Sequence, residues 1–180
     1  MFNSLFNNDS NLNGTIPENL FGNIYGAPRT YLFKNTFRNC SGLTGNIPYG
    51  LFGNVSGRPE IDMYTATFAN CSGLTGKIPD ELFGKLSGAV QDAAFYETFA
   101  NCSGLTGGIP ENLFGDISIP YGGHPFYCTF YNCTGLTGES AKQDGKFLYE
   151  IFTEAGSATT AMYRGAINLA DYANIPSRYK

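Results

Sequence analysis

Between Leu32 and Cys40 the apolar residues fall at Leu32, Phe33, Phe37 and Cys40, with Thr36 among them. That spacing matches one face of a helix, and Gly42 just beyond supplies a stop. Over Leu43-Thr44-Gly45-Asn46-Ile47 the pattern changes to alternation, as in a short strand that Pro48 ends. A second, shorter helical turn is predicted from Pro48, near its first position, to Gly53 at its end.

The same pattern returns along the chain. Asn-Cys-Ser/Thr-Gly-Leu-Thr-Gly occurs at 39–45, 70–76, 101–107 and 132–138, always 31 residues apart, and Asn8 to Gly14 is a degenerate fifth copy. The units are 1–31, 32–62, 63–93, 94–124 and 125–155, without a gap, the last degenerating after 138. Phe6, Phe37, Phe68, Phe99 and Phe130 recur, as do Leu12, Leu43, Leu74, Leu105 and Leu136. So do an Ile-Pro pair and a Leu-Phe-Gly triplet. Recurring apolar residues are what a stacked core needs, because each unit buries its face only against its neighbours. The fold class expected is α/β, a solenoid with a short parallel strand and one or two short helices per 31-residue unit. Phe37, Phe68, Phe99 and Phe130 should then stack in one buried column. Residues 156–180 read as a capping repeat, with Met162 to Ala166, Leu169 and Ile175-Pro176 looking like a sixth unit, compressed and altered. Met1-Phe2 aligns with Leu32-Phe33, so the chain opens in mid-pattern. That suggests a fragment of a longer protein, with an open first unit through which it can self-associate.

Composition narrows the function classes. Charged residues are 14% of the chain and the net charge is −4, without a block of like charges. Nucleic acid and anionic membrane surfaces are therefore not expected partners. No apolar run approaches the roughly 20 residues of a membrane helix, so no membrane insertion is expected, and the first residues show no signal-peptide pattern.

Candidate chemistry is sparse. Cys40, Cys71, Cys102 and Cys133 lie in a row, one per unit, whereas a metal site needs ligands converging on a point. A buried thiol ladder is preferred over disulfides between units and over metal, and Cys128 has no repeat partner. His124 is the only histidine, and Gly-Gly and Pro around it predict a loop. No Gly-x-Ser-x-Gly elbow or phosphate loop accompanies it. Glu18, Asp80 and Glu111 follow the Ile-Pro pairs, where helix starts favour acids. The Asn-x-Ser/Thr triplets at Asn39, Asn70, Asn101 and Asn132 follow from the repeat and carry only a weak suggestion of glycosylation. The chain is not expected to be an enzyme or to need a cofactor.

A binding surface should lie where the units differ or face outward. The outward strand positions are Asn13 and Thr15, Thr44 and Asn46, Thr75 and Lys77, then Thr106 and Gly108. On the first predicted helix, Lys34 and Arg38 give way to Tyr96, Tyr127 and Tyr131. Exposed tyrosines offer a flat ring with a polar tip, suited to sugars or proteins. The binding candidates are thus Thr44, Thr75, Lys77, Thr106, Tyr96, Tyr127 and Tyr131. Equally, the tyrosines could simply cover the last units.

The motif Phe-x-Asn-Cys-x-Gly-Leu-Thr-Gly-x-Ile-Pro, as at Phe37 to Pro48, resembles leucine-rich repeats, most of all the BspA-like group of bacterial surface proteins. The resemblance covers nearly the whole chain and implies a right-handed solenoid, extracellular or on a cell surface, used in adhesion or recognition of a protein or carbohydrate partner. Two departures stand out: 31 residues is longer than the usual unit, and no Asn-ended Leu-x-x-Leu-x-Leu strand is present. A structural stalk, fibre or surface-layer segment, bacterial or phage, is the alternative.

Overall fold

The computed structural model describes residues 1–22, 24–118, 123–153 and 159–180. The junction between the fifth unit and the expected cap, 154–158, lies outside the described residues.

The segment expected to be helical is a ribbon of successive tight turns. In the second unit the amides of Leu32, Lys34, Thr36, Arg38 and Cys40 each donate to the carbonyl three residues back, at 3.1–3.4 Å. The amides between them, on Phe33, Asn35, Phe37 and Asn39, donate to Met63, Thr65, Thr67 and Ala69 of the next unit at 2.8 Å. Tyr31, Asn35 and Asn39 have φ of 61°, 55° and 62°, the left-handed value that a type II turn needs at its third residue. An α-helix commits every amide to the carbonyl four residues back and has none left for a neighbour. The ribbon instead divides its amides between itself and the next unit. Its period is four residues, which places Phe33 and Phe37 on one face. That period is close enough to 3.6 to imitate a helix in the sequence. The second expected helix is likewise two turns, Leu51 onto Pro48 and Gly53 onto Gly50.

The strands are short and mostly parallel. In chain order they are β1 (Gly14–Thr15), β2 (Tyr25–Gly26), β3 (Leu43–Thr44), β4 (Asn54–Gly57), β5 (Lys85–Ala89), β6 (Asp116–Ser118), β7 (Lys142–Gln143) and β8 (Lys146–Phe147). The expected strand is present as the β1–β3 pair, extended by the bridges Gly45↔Leu74, Gly76↔Leu105 and Gly107↔Leu136. A second parallel sheet, in the order β2-β4-β5-β6, follows each Leu-Phe-Gly triplet. Its signal in the sequence is Ile24, Val55, Leu86 and Ile117, one per unit, with polar neighbours in Asn54-Val55-Ser56, Lys85-Leu86-Ser87 and Asp116-Ile117-Ser118. Paired residues are 29 apart, two fewer than the repeat length, so successive units are offset along the strands. Gly42 serves this packing rather than stopping a helix: a Cβ there would meet the Leu12 carbonyl oxygen at 2.7 Å.

Three aromatic columns fill the core. Phe6, Phe37, Phe68, Phe99 and Phe130 stack with centroids 5.3–5.6 Å apart and planes within 12°. Phe2, Phe33, Tyr64, Phe95 and Phe126 form a parallel column at 5.3–5.5 Å. Phe21, Phe52, Phe83 and Phe114 of the Leu-Phe-Gly triplets interleave with both, tilted against their rings.

Beyond Gly138 the pattern changes. β7 and β8 pair antiparallel across Asp144-Gly145, both with positive φ as a type I′ hairpin requires. A single helical turn, α1 (Leu148–Ile151), follows. Tyr163 then stacks on Phe130 at 5.8 Å, 33 residues on, so the sixth turn ribbon is set two residues later in the sequence rather than compressed. Over it lies the terminal segment, with Ala161 and Tyr163 donating to the carbonyls of Arg178 and Tyr179 at 2.8 Å. Buried Asp171 accepts from the amide and hydroxyl of Ser140, at 2.9 and 2.6 Å, and from the hydroxyl of Tyr149 at 3.3 Å.

Candidate functional site

The turn ribbon has an inner and an outer side, and the inner side carries three polar ladders. Thr36, Thr67, Thr98 and Thr129 are fully buried, and each hydroxyl reaches a carbonyl of the preceding unit at 2.9 Å. The thiols of Cys40, Cys71, Cys102 and Cys133 do the same, donating to the carbonyls of Phe6, Phe37, Phe68 and Phe99 at 2.9–3.0 Å. Burial pushes these thiols up, Cys133 to about 12, so they stay protonated and unreactive near neutral pH. All five cysteines are free.

The third ladder is made by Asn8, Asn39, Asn70, Asn101 and Asn132, each amide nitrogen donating to the side-chain oxygen of the asparagine one unit back. These are the asparagines of the glycosylation triplets, and their side-chain nitrogens are engaged. Sequence reasoning missed the threonine and asparagine ladders, although both were visible as unvaried polar residues at the repeat spacing.

On the outer side Tyr96 and Tyr127 stack with centroids 5.1 Å apart, and exposed His124 stands edge-on to Tyr127 at 6.0 Å. The amide of His124 is tied to Asp92 at 2.7 Å, which anchors this edge of the patch. Tyr131 packs over Ala66, Ala69 and Ala100, and Arg164 lies 6.0 Å from its ring centre. All three tyrosines are half-buried rather than fully exposed, since each leans on a neighbouring unit. The next residue, Cys128, is buried, and burial raises its thiol.

Thr44, Thr75, Lys77 and Thr106 are exposed on the strand segment, a different element from the tyrosines. Part of this face is occupied by its own packing. The Thr15 side chain lies over Gly45 and the stem of Lys77 over Gly107, where glycine leaves room. Glu18, Asp80 and Glu111 are exposed in turns, so a helix-start role for them is overturned. The Glu111 carboxylate instead accepts from the amide of Gly145 at 2.7 Å.

Among the described residues no three His, Cys, Asp or Glu side chains come together as metal ligands. No helix among them is long and apolar enough to cross a membrane. No protein-family model, curated protein or solved structure matches this chain, so its own geometry carries the functional reading.

Proposed function

We propose that this chain is a surface-displayed recognition module outside the cell, built as a right-handed solenoid similar to leucine-rich repeats, and not an enzyme. The observation that carries the reading is the Tyr96–Tyr127 stack with His124 at its edge. The inner aromatic columns are held by burial on all sides, whereas this pair keeps open ring area beside polar groups. Such a platform suits the apolar face of a sugar ring or a protein side chain, with Arg164 and Tyr131 alongside as hydrogen-bonding partners. The exposed threonines Thr44, Thr75 and Thr106, with Lys77, form a second, weaker candidate face. The test is a glycan array followed by titration calorimetry of any ligand found. Tyr127→Ala should weaken binding at least about tenfold, the loss of about 1.4 kcal/mol. Unchanged affinity in both Tyr127→Ala and Tyr131→Ala would remove the patch from consideration.

The structural alternative, a stalk, fibre or surface-layer segment, draws on the first unit. Phe2, Phe6, Leu12, Leu20 and Phe21 are only half-buried there, while their equivalents Phe33, Phe37, Leu43, Leu51 and Phe52 are buried.

A further inference from the structure

The two ends of the stack differ. Within the ribbon, each unit's carbonyls accept from the amides of the unit before it: Leu32, Lys34, Thr36 and Arg38 accept from Phe2, Ser4, Phe6 and Asn8 at 2.7–2.9 Å. The matching carbonyls of the first unit, on Met1, Asn3, Leu5 and Asn7, have no donor among the described residues. On the strand side the direction reverses. Thr75 and Thr106 donate back to Gly45 and Gly76 at 2.8 Å, while the equivalent amide of Asn13 has no acceptor among the described residues. Between these edges Phe6, Leu12, Ile16, Pro17 and Leu20 line an open apolar depression of about 310 Å³. The other end is closed, because Arg178 and Tyr179 already satisfy the amides of the last ribbon and Tyr179 is fully buried.

We propose that the chain pairs head-to-head through its first unit, as a two-fold dimer that buries this end of both copies. The proposal rests on the solenoid reading above, in which the units form one stack. A two-fold axis across the end sets the ribbon of one copy, rich in carbonyl acceptors, against the strand of the other, which offers the Asn13 amide. It also sets the open depression of each copy against that of its partner. Such a contact is self-complementary and closes after two copies. A fibre would need a receptive opposite end, and that end is capped.

The test is light scattering coupled to size exclusion on the 180-residue chain, from about 1 to 100 μM, in a range where weak protein dimers form. The mass should approach twice 19.5 kDa as concentration rises and grow no further. Leu20→Glu, at the depression, and Asn13→Pro, which deletes the free amide, should each weaken pairing at least about tenfold. Ile167→Glu, exposed near the capped end, should leave it unchanged. A monomer throughout, growth beyond two copies, or pairing insensitive to both first-unit variants would overturn the proposal. Hydrogen exchange separates this from the solenoid reading. If the Phe68 and Phe99 amides exchange slowly in a monomeric chain, only the dimer fails. If they exchange fast, the stack itself fails.

Discussion

Tyr64 stacks on Phe33 with ring centroids 5.5 Å apart and planes 10° from parallel, yet it is the only member of its column between Phe2 and Phe126 to carry a hydroxyl. That hydroxyl is fully buried and has no hydrogen-bond partner among the described residues. A buried, unpaired hydroxyl costs about 1–3 kcal/mol. Tyr64→Phe keeps the ring and removes the unpaired group. It should raise the unfolding free energy by about 1 kcal/mol or more, read from urea denaturation. A destabilised variant would mean that the hydroxyl is satisfied in solution.

The asparagine ladder separates hydrogen bonding from backbone strain. Asn70 both donates to Asn39 and accepts from Asn101, and its φ is 64°. Asn70→Ala loses two hydrogen bonds and leaves a side chain in a left-handed conformation, together about 2–4 kcal/mol. Asn70→Gly loses the same bonds but tolerates the φ. Its melting temperature should therefore lie between those of Asn70→Ala and the unaltered protein. Equal losses would show that strain at this position is unimportant.

The buried thiols predict an alkaline limit to stability. Burial lifts Cys133 from the ordinary thiol value of 9.0 to about 12 in the folded chain. Its stabilising contribution is complete below pH 9 and is lost as pH rises toward 12, because the unfolded chain gives up the proton first. Cys71 and Cys102 move in the same direction for the same reason. Thermal midpoints should be flat between pH 6 and 8 and fall above pH 9. Cys133→Ala should make that fall shallower. In the native protein these thiols should resist alkylation at pH 8 and react once denaturant is added. Rapid native labelling of Cys102 would show that the ladder opens.

Close backbone contact makes Gly73 intolerant. A Cβ there would lie 2.9 Å from the Ser41 carbonyl oxygen and closer still to that of Leu43. Backbone on both sides leaves little room to yield. Gly73→Ala should cost about 1–3 kcal/mol, the range for forced overpacking, whereas Gly88→Ala meets no atom within 4 Å and carries only its φ of 83°. A chemical-denaturation series with both variants checks the order.

The repeat, its 31-residue length, and the inward residues such as Phe37, Leu43 and Ile47 were determined by the sequence alone, because burial recurs wherever identical units stack. The free thiol column was legible too, since evenly spaced cysteines cannot converge. The path of the backbone between those residues was decided by tertiary structure. Phe33 and Phe37 sit four apart in a helix and in a ribbon of alternating turns alike. Only the neighbouring unit breaks the tie, by offering carbonyls to every second amide. The second sheet stayed hidden because Val55 and Leu86 are single apolar residues whose strand exists only by pairing across units. The tyrosines were identified as candidates by residue type and drift. That Tyr96 meets Tyr127 while Tyr131 turns toward the alanines of earlier units depended on how the ribbons stack, a distance that no local pattern encodes.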